Sequence, residues 1–230
     1  MKIKTLSVLA GIGAPLIATA SAPAGFVGIE CVIKPNSYGL WVVRVYAEFD
    51  RPGEDVMQAV AGTPDSPLHI EVHFGTFYNH PLGTDRPPST GLVAVFPSLA
   101  FDSFVTIGVT AVGPNGQPAD SMIITPGFPG ISGTQLHTTS SGWAITPDEP
   151  AADPFNQNFV AGNGMVLIGQ FSTADGGDVE GTILLQYVSN GVVATSVEYF
   201  HEIIPAPGIV ALFGIAGLVG ARRRRQSVGR

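Results

Sequence analysis

The sequence predicts an all-β protein, a single β-sandwich of jelly-roll-like or immunoglobulin-like form, and three observations predict it. Glycine and proline are abundant, 29 and 19 of 230 residues, while charged residues are only 13%. That composition favours many turns and few long helices. Several apolar runs alternate with period two, the pattern of a strand with one buried face. Turn-forming strings separate those runs: GPNGQPAD at 113–120, TADGGD at 173–178 and SNG at 189–191, the last short enough for a hairpin.

Taken from the N-terminus, Lys2 and Lys4 precede an apolar stretch at 6–17 and the small residues Ala18-Thr19-Ala20. This is the pattern of an export signal, residues 1–20, cut by signal peptidase after Ala20. The β-sandwich ectodomain is then expected over 25–202. Cys31 is the only cysteine, so no intramolecular disulfide is available. Glu30 stands where a lipoprotein signal needs a small residue, and a buried, inert thiol is expected.

In residues 40–49 the odd positions Trp41, Val43, Val45, Ala47 and Phe49 are all apolar, and Arg44 and Glu48 fall on the other face. Trp41 is therefore expected in the core. Residues 54–61 read as a helical turn. Further strands are expected at 68–74, 92–96, 104–111, 121–125, 165–171, 182–188 and 192–200.

Charge partition excludes one function class. Between residues 21 and 204 the basic residues are Lys34, Arg44, Arg51 and Arg86, against all 18 acidic ones, a balance of −14. Such a body repels phosphate backbones, so nucleic-acid binding is set aside. Calcium or a cationic partner suits it better.

Candidate chemistry begins with the HIEVH string. A strand there projects His69, Glu71 and His73 to one side, and imidazole suits zinc or copper. Same-face neighbours lie nearly 7 Å apart along a strand, so His80 or another residue must close such a site; a plain solvated face is the alternative. Asp175 and Asp178, with Glu180 and two glycines, could gather oxygen ligands around calcium, or form a simple turn. Trp143, in loop-like surroundings, is a candidate ligand platform for sugars or else a plug for the sandwich edge, and Tyr78, beside Phe77, is another candidate platform. No Gly-x-Ser-x-Gly, His-Glu-x-x-His or Gly-x-Gly-x-x-Gly string is present, and no catalytic residue is assigned.

The last 28 residues have three ordered parts. Pro205-Ala206-Pro207 precedes a small-residue apolar segment at 208–221, and Arg222, Arg223, Arg224 and Arg225 follow. The prolines keep the junction extended, and the arginines hold the cytoplasmic side. This tail, residues 203–230, resembles the PEP-CTERM protein-sorting signal, with Pro-Ala-Pro in place of the family's usual Pro-Glu-Pro. The resemblance implies recognition by a membrane enzyme, exosortase, cleavage at the proline motif, and delivery through the inner membrane to the cell surface, extracellular matrix or biofilm. Before processing, the apolar segment is expected to hold the chain in the membrane as a transmembrane helix.

The expected function is therefore that of an exported surface or matrix protein whose ectodomain is structural, adhesive or binds polysaccharide or neighbouring surface proteins. The alternatives are an exported metal-dependent hydrolase using His69, Glu71 and His73, and a permanently membrane-tethered envelope protein.

Overall fold

A computed structural model describes residues 25–113, 121–159, 163–174 and 177–204. The export signal with Ala18 and Ala20, Asp175, and the tail with Pro205, Ala206, Pro207 and the arginine cluster lie outside the described residues.

Period-two alternation builds the first sheet. β1 (Phe26–Pro35) and β2 (Trp41–Phe49) pair antiparallel, β9 (Met165–Thr173) adds to the other edge of β2, and β5 (Phe104–Val105) adds to β9. Asn36 closes the β1–β2 turn, its side-chain oxygen accepting from the backbone N–H of Tyr38 at 2.8 Å and of Leu40 at 3.3 Å. Val43, Val45, Ala47 and Phe49 are buried in the main core, and Trp41 packs against it half-buried.

The second sheet is organised around one long strand, β10 (Asp178–Ser189). One of its edges is shared end to end by two shorter strands, β3 (Asp55–Ala61) against residues 184–189 and β4 (Leu68–His73) against 178–182. The next layer repeats the break: β8 (Gly142–Ala144) pairs with β3 and β7 (Gln135–Thr138) with β4, while β6 (Ile123–Ile124) adds to β8. β11 (Val192–Ile203) covers the other edge of β10 along its whole length. The SNG string makes this hairpin as the sequence predicts. Asn190 and Gly191 both have positive φ, 52° and 72°, the backbone a two-residue type I′ turn requires.

The two antiparallel sheets enclose one apolar core, giving an all-β, sandwich-like arrangement. Met57, Leu68, Ile70, Leu136, Ile183 and Tyr187 from the second sheet meet Val43, Val45, Ile168 and Phe171 from the first. At about 25 cal/mol per Å2 of apolar surface, this burial is the main stabilising term.

Three local expectations are corrected. Residues 54–61 do not form a helical turn: they form β3, because cross-strand pairing to both β10 and β8 outweighs a weak local preference. Residues 92–96 are not a strand. Ser89 accepts a hydrogen bond from the Leu92 N–H and starts α1 (Thr90–Val95). The strand expected at 104–111 stops at Val105. There the Thr106 hydroxyl donates to the Val109 carbonyl at 2.7 Å and accepts from its N–H at 3.3 Å, a local side-chain turn that competes with the ladder.

The far side of the first sheet is covered. Gln170 projects from β9 on the face opposite the main core, and its Nε2 donates to the carbonyls of Ala100 (3.0 Å) and Asp102 (2.9 Å). The connection between β4 and β5, including the 3-10 turn Pro97–Phe101, thus forms a roof over this face. Beneath it Val42, Tyr46, Leu167, Gln170 and Leu99 are buried. Among the described residues no helix is long and apolar enough to cross a membrane.

Candidate functional sites on the two outer faces

Alternation in β4 turns Leu68, Ile70 and Val72 inward and His69, Glu71 and His73 outward, as the sequence predicts. Register then decides what they meet. Across β10, Thr182 lies opposite His69, Glu180 opposite Glu71 and Asp178 opposite His73. Across β11, His201 lies opposite Glu180 and Tyr199 opposite Thr182, and His137 of β7 lies opposite His69. Four of the chain's five histidines therefore share one open sheet face. Gly177 helps to set that register: a Cβ there would stand 1.8 Å from the His73 carbonyl oxygen, so only glycine lets β10 begin against the end of β4.

The face is wired in pairs. His73 Nε2 lies 3.0 Å from Glu180 Oε1, and His73 Nδ1 lies 3.9 Å from Glu71 Oε1. The other oxygen of each glutamate is held from outside: His69 Nε2 donates to Glu71 Oε2 at 3.1 Å, and the Tyr199 hydroxyl donates to Glu180 Oε2 at 3.0 Å. His201 Nε2 is 3.4 Å from Asp178, and the His69 and His137 rings stand edge to face at 5.6 Å. The Glu180 hydrogen bond raises the pKa of His73, and the same bond lowers that of Glu180.

The predicted metal residues are regrouped. His69, Glu71 and His73 do share a face, but His80 does not close the set. It sits on the roof, its backbone N–H donating to Asp102 Oδ1 at 2.7 Å and its ring 6.3 Å from Phe96. Glu180, read from the sequence as a loop carboxylate for calcium, is the residue that meets His73. Asp178 lies in β10 and pairs with His201 rather than with a loop.

Both predicted platforms are also relocated. Trp143 is not a platform: it lies on β8, 1% exposed, with Nε1 donating to the Thr106 carbonyl at 3.0 Å. Its indole fills the core. Tyr78 is half-buried beside β9, its N–H donating to the Ser172 carbonyl and its own carbonyl accepting from Ser103; the neighbouring Phe77 is core. The Cys31 thiol faces Glu202, and burial, followed by the charges of Glu202 and Glu30, pushes its pKa far up, which leaves it protonated and unreactive.

A second candidate lies on the other outer face and was not anticipated from the sequence. A cleft of about 290 Å3 opens between the roof and the β1–β2 end of the first sheet, lined by Val32, Lys34, Pro35, Asn36, Val42, Arg44 and Phe101. Lys34 and Arg44 are two of the four basic residues in the body. Arg44 is aimed by Gln170, whose Oε1 accepts from Arg44 Nε at 2.9 Å. Asn36 Nδ2 is buried without a hydrogen-bond partner, while its oxygen is engaged by the turn. Tyr38 stands beside Phe101 with ring centroids 5.4 Å apart, adding an aromatic rim. The Lys34 and Arg44 side chains come from adjacent strands two residues out of register, a pairing visible only once Lys34 is seen to oppose Val42. Comparison with protein-family models gives no match, and comparison with curated proteins gives none.

Proposed function

We propose that the chain is an exported cell-surface or extracellular-matrix protein whose ectodomain, jelly-roll-like or immunoglobulin-like in type, binds an acidic polymer, an anionic polysaccharide being the favoured class. One observation carries the ligand assignment. In a body with a balance of −14, two of four cations converge with the Phe101 ring on one cleft, and Tyr38 stands beside that ring. A sugar carboxylate suits that combination: a guanidinium and an ammonium for charge and an apolar ring for the sugar's face. The acidic remainder of the surface repels the same polymer, so it confines binding to the cleft.

The address rests on residues 1–20 and on the sorting-type tail. One feature of the fold supports processing over permanent anchoring. β11 runs through Ile203 and Ile204 is buried in the core, 3% exposed, so these two residues belong to the folded body and not to the tail. What remains before the arginines, 205–221, would cover about 26 Å as a helix, short of a hydrocarbon core of roughly 30 Å.

The mature protein from an exosortase-containing host tests both halves. Intact mass should end near Pro205 or Pro207, with the protein outside the inner membrane; retained arginines and inner-membrane residence replace the sorting reading with a tethered one. Acidic polysaccharide should be retained and neutral glucan should not. Equal binding to both removes the ligand assignment, and a hydrolytic activity lost on His73→Ala replaces it with the hydrolase.

A further inference from the structure

We propose that Glu71, His73 and Glu180 form a binding site for one divalent transition-metal ion of the zinc class on the open face of the second sheet. The inference depends neither on export nor on polymer binding.

A nitrogen of His73 and one carboxylate oxygen from each glutamate lie within 4.8 Å of one another. Metal bonds of about 2.0–2.2 Å require a tighter set, and His73 and Glu180 already stand 3.0 Å apart; rotation of the Glu71 carboxylate brings in the third ligand. Each glutamate has its Oε2 held by an outer partner, His69 or Tyr199, which leaves its Oε1 turned towards His73. Partners that fix ligand orientation in this way are the outer sphere of a metal site.

Register supplies an independent reason. Glu71 and Glu180 are direct cross-strand partners, and like charges directly opposite each other destabilise a sheet. A cation between them converts that repulsion into attraction. His73 supplies one when protonated, and a divalent ion supplies a stronger one when His73 is neutral. An imidazole among the ligands selects against calcium, which takes oxygen donors, and for zinc and its first-row neighbours. Three protein ligands leave a fourth position for water, and the side chains of His73 and Glu180 are 37% and 28% exposed, so the site opens to solvent.

Zinc alone, titrated into the mature protein and followed by calorimetry, tests the site. The expected result is saturable binding of one ion per chain, lost in His73→Ala, lost or weakened at least 100-fold in Glu180→Gln, and weakened about tenfold in Tyr199→Phe. Affinity should rise from pH 5.5 to 7.5 as the ion displaces the His73 proton. Glu180→Gln conserves shape on a solvent-facing position, so its melting profile should match wild type and binding can be read on a folded protein. Absence of saturable binding overturns the proposal. So does binding that both His73→Ala and Glu180→Gln leave unchanged, which would place the ion on the other histidines of the face.

Discussion

The two sheets turn outer faces of opposite character to the outside. The face of the first sheet lies under the β4–β5 connection, where Gln170 satisfies two roof carbonyls and Arg44 at once, and Asp102 is 1% exposed. Among the described residues the face of the second sheet carries no roof, and its histidines and carboxylates answer one another in partly exposed pairs. Polar groups serve different ends in the two places. Under the roof the Gln170 amide is spent on holding the connection to the sheet, and the cationic cleft lies at the margin of that roof. On the open face the pairs hold little of the fold together, and their lone pairs and protons can be exchanged with solvent or an ion.

The comparison breaks most visibly at Gln170. Gln170→Leu keeps the volume but strands the Ala100 and Asp102 carbonyls and the Arg44 guanidinium, and should cost about 3 kcal/mol in denaturant unfolding. A value near zero would mean that the roof is not fastened there.

Asp102 gives a smaller, pH-dependent effect. Burial raises its pKa from 3.8 to about 6, against the hydrogen bonds from His80, Ser103 and Thr84 that lower it. Between roughly pH 4 and 6 the folded state holds a proton that the unfolded state has released, so this group's contribution is full below pH 4 and is lost as pH rises through 6. Asp102→Asn should flatten the fall in stability over that window; an unchanged slope would assign it to other groups.

His73 on the open face should titrate above the usual histidine value, and Glu180→Gln should return it towards that value in an NMR titration, because the hydrogen bond that His73 donates to Glu180 is the largest cause of the shift. The sign is that of an exposed ion pair: the contribution is present between the lowered Glu180 value and the raised His73 value and fades outside them. The smallest change is expected for His137→Ala. That exposed ring should matter to stability by less than about 0.5 kcal/mol, and a larger loss would show that the open face is structural after all.

Sequence legibility follows the same division. Alternation was plain in 68–74 and 192–200, where one face is more buried than the other, and in the apolar odd positions of 40–49, whereas 165–171, buried on both faces, was legible as a short apolar run. The SNG hairpin was legible because its backbone demands those residue types. β3 was not, since its character comes from pairing at both edges, and α1 was not, since a short apolar run has no decisive period and only Ser89 marks its start. The His69, Glu71 and His73 triplet could be read from one strand. Its completion by Glu180 in place of His80 needed the β4–β10 register, which joins residues over a hundred positions apart. The cleft was hidden for a related reason: Phe101 reaches Lys34 and Arg44 only through a connection that crosses the whole sheet.

Acidic-oligosaccharide affinity of the mature protein, measured at low salt for wild type, Lys34→Glu and His73→Ala, tests the division of roles most directly. The account predicts that Lys34→Glu weakens binding at least tenfold by reversing a charge at the cleft, and that His73→Ala, on the opposite sheet, leaves it unchanged. Loss on His73→Ala with Lys34→Glu unaffected would place the polymer on the open face and contradict it.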